Sequence, residues 1–349
     1  MKREDQIAYW VDKYNNTNIN KLALEATNVR EEKNGNNVYF NRNFHLEPSN
    51  VCIHRCKFCS FRRDNESDPG SWSMTYSQVA DFCKSKYTPG DTEIHIVGSV
   101  HPNRGLDYYL KVIEIVRETL PKEVAIKAYS AVEIDDMSKL SGLSIHRVLS
   151  ELKDRGLDVL PGGGAEIFNR EIREIICPDK CSSERWLEVH KTAHSIGIKS
   201  NATMLYGHIE NLEHRIEHLL MIKDAQNESF GFDAFIPLKF RNVNNSLSHI
   251  TEINILDTLK TFAISRLILD NVAHIKSYWP MLGKELCQLT LLYGADDIDG
   301  TIKDSTKIYS MAGSIQSPQM SIADLQKLAN NCGYTAIERD SFYNQIIKK

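Results

Sequence analysis

Three cysteines, Cys52, Cys56 and Cys59, stand close together in the run Glu47-Pro-Ser-Asn-Val-Cys-Ile-His-Arg-Cys-Lys-Phe-Cys-Ser-Phe61. The C-x3-C-x2-C spacing wraps three thiolates around one small metal body. Closed structural sites usually take four protein ligands, whereas three leave a position open for a reactive ligand. A four-iron, four-sulfur cube held this way keeps its fourth iron free. Zinc also satisfies the count, because His54 or His45 can supply a fourth ligand, and three unrelated buried thiols are the plainest alternative. Phe58, between two of the thiols, can shield a cluster and bring its backbone near a bound ligand. Arg55 and Lys57 read as solvated charges.

Other residues suited to chemistry follow short β-branched runs. Gly98 and Ser99 lie where a glycine lets the backbone come close to a ligand. In His101-Pro102 the proline stiffens a loop that aims an imidazole across a cavity mouth, for substrate contact or proton transfer. Glu133 can take both hydroxyls of a ribose, or simply favour a helix start. Gly162, Gly163 and Gly164 precede Ala-Glu-Ile-Phe and are expected to open a helix whose free N–H groups bind a carboxylate. No Gly-Lys-Ser/Thr follows, which argues against a nucleoside triphosphate. Glu166 is expected to face the same pocket. Thr203, Tyr206 and Gly207 are candidates for a ligand-lining wall, and His208 and Glu210 for acid–base or capping groups. Cys177 and Cys181 with His190 and His194, and the pair His214 and His218, have spacings that zinc accepts, but nothing else marks them as metal sites. Cys83, Cys287 and Cys332 read as core.

These residues need a scaffold that gathers them. Strand-like runs at 38–46, 93–97, 124–128, 158–160, 199–204, 234–237, 272–276 and, weakly, 291–294 alternate with helical patterns. The helical patterns lie near 76–86, 107–119, 144–155, 183–196, 212–225, 252–269 and 282–289. Such alternation argues parallel βα units with right-handed crossovers. About eight units fit an α/β fold of the TIM type, a (β/α) barrel either complete or partly open. Catalytic groups in such barrels sit on the loops after the strands, and the decorated segments above fall there. Residues 1–36 are expected to form an N-terminal helical layer and 37–320 the barrel. Residues 321–349 are expected to form a C-terminal extension of a helix, a short strand at 334–337 and a last helix.

At 349 residues, 42% apolar and 25% charged, the chain has the composition of an ordinary soluble globular protein. A net charge of −4 offers no basic field for nucleic acid or an anionic membrane. No stretch resembles a membrane span or a signal peptide, and eight cysteines in so long a chain do not suggest a disulfide framework. The expected location is cytoplasmic.

The strings Asn50-Val-Cys-Ile-His-Arg-Cys-Lys-Phe-Cys, His95-Ile-Val-Gly-Ser-Val-His-Pro, Leu160-Pro-Gly-Gly-Gly-Ala-Glu-Ile-Phe and Ser200-Asn-Ala-Thr-Met-Leu-Tyr-Gly-His-Ile-Glu together resemble the radical S-adenosylmethionine (SAM) superfamily. Within it they look most like the menaquinone and deazaflavin branch, and there the aminofutalosine synthase family. The resemblance implies a 4Fe–4S cluster on Cys52, Cys56 and Cys59, with SAM as co-substrate near Phe58, Gly98, Ser99, Glu133, the three glycines, Thr203, Tyr206 and Gly207. It implies a transferase of the futalosine pathway of menaquinone biosynthesis. The 5′-deoxyadenosyl radical would add to 3-[(1-carboxyvinyl)oxy]benzoate, with rearrangement and decarboxylation to 6-amino-6-deoxyfutalosine. His101, Glu166, His208 and Glu210 are the catalytic candidates, and the partners are this aromatic dicarboxylate and an electron donor such as flavodoxin or ferredoxin. The alternatives are a sibling, either dehypoxanthine futalosine cyclase or a deazaflavin synthase subunit, and a non-catalytic metal-binding interaction protein.

Overall fold

Short apolar strands, each followed by a capped amphipathic helix, build a sheet in chain order. The computed structural model describes residues 1–302, 307–313 and 319–347. Its strands are β1 (Asn37–Asn41), β2 (Asn43–Leu46), β3 (Glu93–Ile96), β4 (Ala125–Ala128), β5 (Val159–Leu160), β6 (Lys199–Tyr206), β7 (Phe232–Lys239), β8 (His274–Ile275), β9 (Asp297–Gly300) and β10 (Thr335–Arg339). Strands β2 to β8 form one seven-stranded sheet in sequential order, and every pairing is parallel. This is a partly open (β/α) barrel with its helices outside.

Local chemistry accounts for the crossovers. Thr75 and Gln78 make a reciprocal capping box that starts the helix Tyr76–Lys86. Ser130 and Glu133 do the same for Ala131–Ser141. Ile145, Val148, Leu149 and Leu152 form the buried stripe of Ile145–Asp154, the i, i+3, i+4, i+7 pattern that packs a helix on a sheet. The two N-terminal helices, Arg3–Asn16 and Ile19–Asn34, pack on the outer helices Leu212–Ser229 and Ile255–Ile268.

The run 38–46, expected as one strand, is two. Strand β1 pairs with β9 and β10 in a second, three-stranded parallel sheet, while β2 begins the barrel. The break falls at Arg42, whose carbonyl accepts from the backbones of Thr92 and Glu93 and whose guanidinium pairs with Glu338 at 2.6 Å. One strand cannot satisfy both sheets, so the chain changes sheet there. Residues 291–294 form a 3-10 turn (Leu291–Tyr293), and the strand lies just beyond, at β9. The seam between β8 and β2 is spanned by this segment: Lys276 bridges Asp297, and Thr301 and Ile302 bond to Asn43. Two helices are absent from the sequence reading: Ala131–Ser141, which begins at the cavity, and Arg170–Ile176, which follows the glycine-turn segment. At the C-terminus Ile322–Asn330 and β10 form as expected, but no last helix follows among the described residues. The chain turns back so that Arg339 bridges Gln345.

Candidate active site

The carboxyl ends of the barrel strands enclose a cavity of about 330 Å³. Cys52, Cys56, Phe58, Cys59, Gly98, Ser99, Glu133, Gly162, Gly163, Gly164, Glu166 and Thr203 all line it. The three thiols are free and half-buried on the loop after β2. Burial pushes Cys56 up to about 12 and raises Cys52, so metal must displace their protons on binding. Neither histidine weighed as a fourth ligand joins them. His54 is tied to Asp136 at 2.6 Å, and His45 stacks edge-on against His95 inside the barrel at 4.8 Å. Among the described residues no three His, Cys, Asp or Glu side chains converge as a single ion requires, the His190 and His194 region included. All three thiols border the cavity.

Opposite the thiols the cavity offers groups with spare bonding capacity. Glu133 Oε2 accepts from the Ser130 backbone at 2.7 Å and its hydroxyl at 2.8 Å, so the helix-start reading holds for that oxygen. Its other oxygen, Oε1, is buried without a partner and lies 3.1 Å from where a Cβ on Gly98 would sit. Burial raises this carboxyl. A hydroxyl pair on a ligand would satisfy it. Ser99 donates to the carbonyls of Ser49 and Val51 at 3.0 and 2.7 Å, which ties the loop after β3 to the cysteine loop.

The three glycines line the cavity but do not open a helix. They form a turn, and the next helix starts at Arg170. Their carbonyls are taken from behind: Thr203 donates to Gly162, the Trp186 indole to Gly163 and Arg173 to Gly164. The helix-terminus anion site is therefore not formed; what the turn presents to the cavity is a close, side-chain-free backbone. Glu166, at φ 46°, faces the cavity as expected and is paired with Lys180 at 2.6 Å.

Five candidates lie off the cavity wall. His101 is turned back: its Nε2 meets Glu66 at 3.1 Å and its Nδ1 accepts from the Asn103 backbone. Proline stiffens the loop here but points the imidazole away from the mouth. Tyr206 ends β6 and is buried, with the Arg215 guanidinium over its ring. Glu210 accepts from the backbones of Gly207 and His208 at 2.6 and 2.9 Å and pairs with Arg215, also at 2.6 Å, so these residues staple the loop after β6. His208 Nε2 meets the Leu205 carbonyl at 3.1 Å, and its Nδ1 accepts from the Ile209 backbone and lies 3.0 Å from Glu210.

The structure also adds residues that motif reading passed over. Lys127, Lys276, Asp299, Asn201, Arg241 and Lys180 line the cavity. Lys127 pairs with Glu93 at 2.6 Å, and Lys276 with Asp299 at 2.9 Å, forming a charged floor inside the barrel. Burial favours neutral Glu93, but Lys127 and Lys276 outweigh it and hold the carboxyl well below its usual range. For Lys127 the signal was a charge inside the apolar run of β4, a strand buried along its whole length. Lys180 had no such signal.

A model of the radical SAM superfamily matches residues 46–222, just over half of the chain, and one described as the CofH/MqnC C-terminal region matches 229–347. The aminodeoxyfutalosine synthase of Thermus thermophilus is 40% identical over 95% of this chain and 90% of its own. The chain belongs to the radical SAM superfamily. Two relatives from Streptomyces coelicolor divide usefully. Its aminodeoxyfutalosine synthase is 38% identical over 98% of this chain and 90% of that protein. Its cyclic dehypoxanthine futalosine synthase is 33% identical over 97% and 84%. Among solved structures, the FeFe-hydrogenase maturase HydG from Carboxydothermus hydrogenoformans superposes with a TM-score of 0.73 at 18% identity, covering 98% of this chain and 77% of that one. That likeness bears on the fold alone. Membership in the superfamily gives the three-thiol loop its meaning: the donor set, its open side and the orphaned Glu133 oxygen fit a 4Fe–4S cluster with SAM beside it. No helix among the described residues is long and apolar enough to cross a membrane.

Proposed function

We propose that this protein is an aminodeoxyfutalosine synthase. It joins the 5′-deoxyadenosyl unit of SAM to 3-[(1-carboxyvinyl)oxy]benzoate and releases the carboxyl carbon, giving 6-amino-6-deoxyfutalosine for menaquinone. The observation that carries the reading is 40% identity to such a synthase along nearly the whole chain. The Streptomyces pair supports it, since the synthase is the nearer of the two.

Cys52, Cys56 and Cys59 hold the cluster, which when bound supplies the electron that breaks the sulfonium C–S bond of SAM. Phe58, Gly98, Glu133 and the glycine turn border the SAM half of the cavity, with the Glu133 Oε1 oxygen available to the ribose. Apolar Ile236, Leu238, Phe240 and Met281 enclose the remainder and keep water from the reacting carbons. Arg241 and Lys276 stand on that wall as cations for the two carboxylates of the benzoate. Lys276 keeps its charge there: burial disfavours it, yet Asp299 and Asp297 outweigh burial and raise it. Holding the alkene against C5′ is the protein's main contribution, because positioning replaces an encounter between two mobile partners. The electron donor is a small redox protein such as flavodoxin or ferredoxin.

The test is an anaerobic reaction of reconstituted protein, a low-potential reductant, adenosine-labelled SAM and the enol-ether benzoate. Label is expected in the aminodeoxyfutalosine product, one-to-one with methionine. Label recovered chiefly as free 5′-deoxyadenosine, with the benzoate unchanged, would replace this reading with that of a hydrogen-abstracting sibling.

A further inference from the structure

Lys180 is a buried cation on the thiol-lined cavity that no motif explains. Its side chain is 14% exposed, its Nζ lies 2.6 Å from Glu166 Oε1 and 5.2 Å from the centre of the Phe58 ring, between the cysteines of the loop. Lys180, Glu166 and all three thiols border one cavity. The segment that carries Lys180 is fastened to the cysteine loop at two points: the Lys57 backbone donates to Ile176, and the Arg55 backbone to Asp179. Buried Arg173 holds it from behind through the Cys181 carbonyl at 2.7 Å. The lysine is thus set in place, not swept in from solvent. The loop's other cations differ: Lys57 is exposed, Arg55 is 76% exposed, and Arg62 is paired with Asp64.

A buried ammonium beside a polynuclear cluster has a definite effect. Reduction adds one negative charge to the cluster, and a fixed positive charge close by in low dielectric stabilises the reduced form. Glu166 partly cancels that charge. We propose that Lys180 raises the reduction potential of the cluster on Cys52, Cys56 and Cys59, and that Glu166 opposes it, so the pair sets how readily the cluster accepts its electron. Both are positioning residues for charge. The inference rests on the reading that these thiols hold a cluster, and is independent of which substrate follows.

The experiment is an EPR-monitored redox titration of the reconstituted holoprotein without SAM, with Ti(III) citrate supplying the electron. Iron and sulfide are quantified first in every sample. Lys180→Gln is expected to shift the midpoint to lower potential and Lys180→Arg to leave it near the wild-type value. Glu166→Gln should shift it upward, and the double variant should return towards wild type. A purely structural role cannot produce shifts of opposite sign. Cluster-loaded Lys180→Gln with an unmoved midpoint, or shifts of one sign in both single variants, overturns the inference. If Lys180→Gln fails to load, the upward shift in Glu166→Gln and the wild-type midpoint of Lys180→Arg still decide it, and no upward shift in Glu166→Gln rejects it. Absence of iron and sulfide from the wild type would instead overturn the cluster reading beneath it.

Discussion

A Cβ added to Gly162 would meet the Ala202 carbonyl carbon at 2.7 Å and the Asn201 oxygen at 2.8 Å, both backbone. At Gly163 the nearest atom is Ser130 Cβ at 3.8 Å, and Gly164 sits at φ +85° with Val132 at 2.5 Å. Packing therefore demands glycine at 162 and 164, while 163 is left open by the cavity. Gly162→Ala is expected to cost about 1–3 kcal/mol of stability through overpacking, read as a lowered urea midpoint. Gly163→Ala should keep the midpoint and raise KM for SAM or the benzoate, because its methyl enters ligand space. Equal midpoints for both variants would show that β6 yields to the methyl. The cysteines give a different kind of prediction. Replacing Cys52, Cys56 or Cys59 singly by Ala should abolish iron and sulfide binding and SAM cleavage but preserve the far-UV circular dichroism, since their loop lies outside the barrel strands. Stoichiometric zinc without sulfide in the wild type would contradict the cluster.

At the scale of elements, the helix Arg170–Ile176 matters through one residue. Arg173 is buried and donates to the carbonyls of Gly164, Ala165, Ile167 and Cys181. It joins the glycine turn to the segment bearing Lys180, so two sides of the cavity share one support. Arg173→Met leaves those carbonyls unsatisfied and is expected to cost about 3 kcal/mol. The same variant should load less cluster at equal iron and sulfide supply, because Lys57 and Arg55 lean on that segment. Chemical denaturation and iron analysis check the two effects separately. Full stability in the variant would mean that water replaces the guanidinium at no cost.

For the molecule as a whole, the charged interior makes stability depend on acid in a predictable direction. Burial lowers His45 and His194 from an ordinary 6.5 to about 4, and His218 to about 3. Below pH 6.5 the unfolded chain takes up protons that the folded chain refuses, so stability falls as pH drops through this window. Asp296 and Asp299 extend the loss. Burial works against their ionised forms, but His274 and Arg266 at Asp296 and Lys276 at Asp299 outweigh it and hold both carboxyls low. Their contribution is complete above the ordinary carboxylate range and is lost as pH falls through their lower folded values. Urea midpoints should be level between about pH 7 and pH 8, decline from about pH 6 and drop further below pH 4. Midpoints unchanged between pH 7 and pH 5 would contradict the neutral buried histidines.

Spacing and periodicity alone determined the alternation of strands and helices, the thiol loop and the barrel face that carries it. These are local properties: a C-x3-C-x2-C spacing puts three thiols on one short loop wherever that loop goes, and apolar period follows from one-sided burial. Gly98, Glu133, the glycine turn and Glu166 were legible for the same reason, each lying on the segment that follows a strand, and Thr203 lies within the carboxyl half of β6. Only the tertiary structure decided where side chains turn once there. His101 and Glu210 have the types and positions of catalytic groups, yet Glu66 and Asn103 hold the first, and Gly207, His208 and Arg215 the second, off the cavity wall. Lys180 shows the converse. It lies in a polar turn far from the cysteines in the chain, and reaches Glu166 and Phe58 because helix Arg170–Ile176 folds back against their loop. The split of 38–46 between two sheets has the same origin, since Arg42 must satisfy β3 and Glu338 together, and neither partner is near it in sequence.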